Sequence, residues 1–239
     1  MSIISGYPMG AKLTTEFYEK GLITKTDAEK ILSFCSTSGP MFVIGTVGAG
    51  FLKSTTLGLL IFAVHIISSI INGIIFSRIK NKNIETENKA IISPKKTQIN
   101  TNTLSLEEIM YSTIKSVLIV GGYIVLFYVL IEVLLDLNIF YPLIKLLTLL
   151  GLNNLEAMGI ISGIVEITKG LSILNNSQNI KLVFILTNGL ISFSGISILI
   201  QSLTFINKIK INKKLFLLQK ITHSIISSAI SYLISFIIF

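Results

Sequence analysis

Two copies of one polar pattern, each set in apolar sequence of membrane-spanning length, constrain this chain more than any other feature. The first copy runs Ser5-Gly6, then Thr37-Ser38-Gly39 inside an uncharged run, then His65 followed by Ser68-Ser69. The second runs Ser162-Gly163, then Thr187-Asn188-Gly189 inside an uncharged run, then His223 followed by Ser227-Ser228. Weakly similar halves with interrupted apolar segments are what many secondary transporters show at sequence level. The pattern predicts an all-α, polytopic membrane protein with a transporter-like core. It does not name a solute.

Composition agrees. Only 13% of the 239 residues are charged and the mean hydropathy is +0.78, where a soluble domain carries about 25% charge. The net charge of +8 would suit nucleic acid, but the basic residues fall in short segments between apolar runs. That placement fits cytoplasmic loops and argues against a nucleic-acid partner. Cys35 is the single cysteine, so neither an intrachain disulfide nor a thiolate metal cluster is expected. The first residues lack the charged region and apolar core of a cleavable signal peptide.

A bilayer crossing needs about 20 apolar residues. Five segments qualify: Ile31–Leu52, Leu57–Ser77, Ser116–Leu135, Leu182–Asn207 and Ile221–Phe239. Region 137–181 is apolar only in patches, interrupted by Pro142, Lys145, Asn153, Glu156, Glu166 and Lys169. Lys/Arg-rich loops stay in the cytoplasm, which puts segments 78–96 and 208–214 on the inner side. An even number of crossings must join them, and two spans already do. Region 137–181 therefore adds none or two, and its charges favour a re-entrant helical hairpin entering from the outer face. By the same logic residues 1–30 begin inside. The halves then read hairpin, span, span in opposite orientations, an inverted repeat. The units are 1–78 (a truncated hairpin and two spans), 79–110 (a basic cytoplasmic loop), 111–136 (a connecting span) and 137–239 (a hairpin and two spans). Only four residues precede Ser5-Gly6, so a first hairpin arm is missing, which predicts a fragment or split-gene product of a longer protein.

Several residues are candidates for binding. Gly6 and Tyr7, before Pro8, form either a hairpin tip whose helix N-terminus faces a polar ligand or an ordinary surface turn. Asp27-Ala28-Glu29 opens a solvated cytoplasmic helix capped by Thr24 or Thr26. Ser36, Thr37, Ser38 and Gly39, followed by Pro40, mark either an unwound span lining a cavity or close packing of small residues. Cys35 reads as a small packing residue. Glu166, with Thr168, is either a ligand or proton-coupling carboxylate or the partner of Lys169 on the same helical face. Asn188, Ser192 and Gln201 sit in an uncharged span and must face the bundle interior, lining a cavity or bonding between helices. His65 and His223 suit hydrogen bonds with their following serines better than a metal pair, because no ligand flanks them at metal spacing. Glu132 and Asp136 read as solvated at the outer interface. No catalytic or cofactor motif is present, so no enzyme, metal or cofactor is expected.

The stretches Ser5 to Lys12, Phe34 to Pro40 and Ser192-Phe193-Ser194-Gly195 through Gln201 resemble the YlbJ family of sporulation integral membrane proteins, which carry nucleoside-recognition, or gate, domains. The resemblance covers nearly the whole chain, as the C-terminal portion of a longer family member. It implies the cytoplasmic membrane of a spore-forming bacterium and a role in spore envelope or cortex formation. More remotely, the element order resembles the core of concentrative nucleoside transporters. Their Asn-Phe-x-Ser-x-Gly-Ile stretch is similar to Ser192 through Ile198, and their Asn-Glu-Phe-Val-Ala stretch to Val165 through Lys169. Of the residues that this second family uses, only Glu166 carries over; the others fall on Ser192, Gly195, Val165 and the vicinity of Tyr7-Pro8-Met9.

The combined expectation is a transporter-like protein of the sporulation pathway, embedded in the lipid bilayer, that binds a small polar, nucleoside-like solute between its halves. Glu166, Asn188, Ser192 and Gln201 would face Ser36, Thr37 and Ser38 there. A homo-oligomer is compatible with this. The alternative is a scaffold for spore envelope assembly that keeps only the transporter shape.

Overall fold

The computed structural model describes residues 2–78, 105–209 and 211–239. The basic segment over 79–96, and most of the loop assigned to 79–110, lies outside the described residues. Every regular element described is a helix. In chain order these are α1 (Ser2–Ser5), α2 (Met9–Glu19), α3 (Lys25–Cys35), a π-helix π1 (Met41–Phe51), α4 (Thr55–Arg78), α5 (Leu106–Asp136), α6 (Tyr141–Leu149), α7 (Asn154–Val165), α8 (Ile167–Leu174), α9 (Ile180–Phe193), α10 (Gly195–Ile206) and α11 (Lys213–Ile238).

Four stretches are long and apolar enough to cross a membrane: Thr55–Arg78, Thr113–Asp136, Ile180–Ile206 and Lys213–Ile238. The expected span Ile31–Leu52 is not one continuous helix. Pro40 has no N–H to donate and a φ of −61°, and the chain opens at Ser36 (φ −87°, ψ 74°). The segment is therefore two half-helices, α3 and π1, separated by residues 36–40. π1 packs on α4 through glycines, since a Cβ on Gly48 would lie 2.6 Å from the Gly58 Cα. The small-residue contact and the unwound break, two alternatives at sequence level, thus coexist in one segment.

The last expected span starts earlier than Ile221. Asn212 accepts from the N–H groups of Lys214 (3.1 Å) and Leu215 (3.2 Å) and so caps α11 at Lys213. This places Lys220 inside the helix. Between α5 and α9 no helix reaches across a bilayer: α7, the longest, has 12 residues and is roughly 18 Å long, against a hydrocarbon core of about 30 Å. α7 and α8 pack as a hairpin. A capping box starts α7, with Asn153 and Glu156 bonding each other's backbone N–H (2.8 and 2.9 Å). Glu156 also accepts from Ser177 (2.9 Å), so a carboxylate that looked misplaced in apolar sequence is fully used.

Two apolar clusters hold the molecule together, and each mixes early and late elements. Val43, Ile61 and Val64 from π1 and α4 pack with Leu171, Leu174 and Phe184 from α8 and α9. Ala11, Ala28 and Leu32 from α2 and α3 pack with Leu199, Ile206 and Phe216 from α10 and α11. α5 is peripheral: 11% of its apolar window is buried, against 67% for α9–α10. The centre of the molecule therefore belongs to the interrupted stretch and its neighbours.

Candidate functional site

The second interrupted segment breaks between α9 and α10. Ser194 and Gly195 both take left-handed φ values, +75° and +73°. Each break is met by a hairpin turn at glycine-to-glycine distance. Gly6 (φ +71°) faces Gly39, where a Cβ would lie 2.6 Å from the Gly39 nitrogen. Gly195 faces the α7–α8 turn, where a Cβ would lie 3.1 Å from the Gly163 carbonyl oxygen. Only glycine accommodates both the backbone angle and the approach.

Two side chains join the breaks to each other. His65 on α4 accepts the Ser38 N–H at Nε2 (3.0 Å) and meets the Ser192 hydroxyl at Nδ1 (2.9 Å). Because Nε2 accepts from a backbone N–H, the ring proton resides on Nδ1 and is donated to Ser192. Tyr7 does the same from the first turn. Its hydroxyl donates to the Ile191 carbonyl (3.1 Å) and accepts from the Lys220 ammonium (3.2 Å), which also donates to the Ser36 carbonyl (2.6 Å). Lys220 lies over the Tyr7 ring, 4.4 Å from its centroid. His223 stacks on His65 with centroids 5.0 Å apart, and its Nε2 meets the His65 carbonyl (3.2 Å) and the Ser68 hydroxyl (3.1 Å).

The expected site residues therefore divide. Gly6, Tyr7, Ser36, Ser38, Gly39 and Ser192 come together at the two breaks. Glu166 does not pair with Lys169. It caps α8, accepting the Lys169 N–H (2.8 Å) and the Thr168 hydroxyl (3.1 Å). The Lys169 ammonium instead bridges to Glu132 on α5 and lies 5.0 Å from the Tyr128 ring centroid. Burial alone would lower Lys169, but the Glu132 carboxylate and Tyr128 hold it above its ordinary value. Glu132 is thus an ion-pair partner as well as a partly solvated group. The helix at Asp27–Glu29 is also less exposed than expected. Thr24 and Asp27 do form the capping box, but Glu29 is buried and accepts the Asn212 N–H (3.0 Å). The His65 ring bonds groups from both breaks, and of its following serines Ser68 donates to the His65 carbonyl (2.9 Å).

Six buried side-chain atoms among the described residues have no partner within the protein: Ser36 Oγ, Thr37 Oγ1, Ser162 Oγ, Asn188 Oδ1, Gln201 Oε1 and Ser202 Oγ. Five of them lie on the two interrupted segments. Lys220 escaped sequence reading because a span onset at Ile221 left it just outside the expected helix. The signal that could have found it is Asn212, a capping residue more than two turns before the apolar run. No group of three or more His, Cys, Asp or Glu side chains suited to a metal occurs among the described residues.

These features define an all-α, multi-pass integral protein of the cell membrane whose centre is a polar junction of two interrupted segments. The chain is similar to the sporulation integral membrane protein YlbJ of Bacillus subtilis (strain 168), with 26% identity over 245 aligned residues covering 94% of the chain. The likeness agrees with the resemblance carried by Ser5 to Lys12, Phe34 to Pro40 and Ser192 through Gln201. The chain spans 60% of the length of that relative. No protein-family profile matches the chain, and no solved structure does.

Proposed function

We propose that this protein is a non-enzymatic, transporter-like component of the sporulation membrane that binds a small polar solute where its two halves meet. The halves would sit in the bilayer as an inverted repeat, with the α1–α2 and α7–α8 turns as re-entrant tips. The observation that carries the reading is the set of buried, unpartnered polar atoms on the interrupted segments. Buried polar groups are nearly always hydrogen-bonded, and leaving one unmade costs about 1–3 kcal/mol. A structural scaffold has no use for Ser36 and Thr37 hydroxyls kept in that state, whereas a binding site does.

The test is a pair of substitutions, Ser36→Ala and Thr37→Val, in purified protein. Removing an unpartnered hydroxyl breaks no hydrogen bond, so the unliganded double variant should melt at or above the wild-type temperature. A panel of nucleosides, sugars and amino acids should contain a solute that raises the wild-type melting temperature, and the double variant should lose that response. A wild type that no panel member stabilises, with a double variant that melts lower, overturns this reading and favours the scaffold.

A further inference from the structure

The last carbonyls of a helix have no intrahelical donor and carry the negative end of its dipole. Where α3 stops short at the first break, three of these carbonyls are met by side chains from elsewhere. Asn72 donates to Ser33 (2.7 Å), Ser2 donates to Cys35, and Lys220 donates to Ser36 (2.6 Å). In interrupted-helix transporters such unwound carbonyls and half-helix C-termini are where a free coupling cation sits. Here an ammonium of the chain itself occupies that position. Lys220 is only 2% exposed and makes no ion pair with a carboxylate among the described residues. Its amino group is held by a carbonyl and a phenol oxygen, the kinds of oxygen ligand that a small monovalent cation takes, and lies over the face of Tyr7.

We propose that Lys220 is a tethered cation standing in for a free monovalent ion at the first break. The protein then closes that break without sodium, and removing the ammonium uncovers a monovalent-cation site at the Ser36 carbonyl and the Tyr7 hydroxyl. The geometry alone carries this assignment; only its consequence, solute binding that does not depend on sodium, rests on the function proposed above.

The probe is the cation alone. Melting of the full chain in detergent is compared in sodium, lithium, potassium and choline chloride at constant ionic strength. The wild type should melt alike in all four. Lys220→Ala should melt lower in choline and recover by about 5–10 °C in sodium or lithium at a hundred times the dissociation constant. Lys220→Ser, which keeps a hydroxyl near the carbonyl, is the second variant and should show the same dependence. A wild type that sodium itself stabilises overturns the proposal. So does cation indifference in both variants, or failure of both to fold in every salt. No solute enters the experiment, so the Ser36 and Thr37 result can fail while this one holds, and the reverse.

Discussion

A histidine can bond a backbone N–H at one nitrogen and a hydroxyl at the other in only one neutral tautomer, and His65 is held in it by Ser38 and Ser192. Protonation would turn Nε2 from acceptor to donor and set it against the Ser38 N–H. The two breaks should therefore be energetically coupled through this ring. In a double-mutant cycle, His65→Ala and Ser192→Ala should show an interaction of about 1 kcal/mol, measured by denaturant unfolding in detergent. His65→Ala with Glu166→Gln should be additive, because Glu166 spends its carboxylate on the start of α8. Additivity in the first cycle would mean that the ring does not join the breaks. The sequence shows that His65 and His223 hold equivalent places, but not whom they touch. His65's partners lie 27 and 127 residues away, and spacing along a helix encodes only contacts three or four residues off.

At the scale of elements, the long helices were legible because an uncharged run of 20 or more residues has few other fates. The break after Cys35 was legible too, as a polar, proline-ended interruption. The winding of π1 was not, since nothing in Met41–Phe51 distinguishes a π-helix from an α-helix by composition. Also hidden was how α5 is tied to the hairpin. Its contact with the rest of the molecule is thin, and the Lys169–Glu132 bridge is the ion pair found among the described residues. Side-chain exposures of 15% and 44% let solvent screen this pair, so Glu132→Gln or Lys169→Met should cost about 0.5–1 kcal/mol. Exchanging the charges, with Glu132→Lys and Lys169→Glu together, should recover part of the loss in thermal stability. A double exchange no better than either single charge reversal would show that the bridge does not hold α5 to α8.

At the scale of the whole molecule, the two halves depend on each other. Each apolar cluster takes residues from both, and the polar junction is complete only when α4 and α11 carry His65, His223 and Lys220 between the breaks. The element order follows from sequence, because charge placement limits how many crossings region 137–181 can add. The closeness of the breaks does not follow, because it depends on bonds from His65 and Tyr7 to residues far apart in the chain. The central claim is that these halves lie mirrored across the bilayer, which requires the basic segment near Glu85 and the α10–α11 turn to share the inner face. Single cysteines at Glu85, Asn154 and Asn212, in a Cys35→Ser background, test it with a membrane-impermeant maleimide applied to intact cells. Asn154→Cys should label from outside, and Glu85→Cys and Asn212→Cys only after the membrane is opened. Labelling that places positions 85 and 212 on opposite faces would contradict the account.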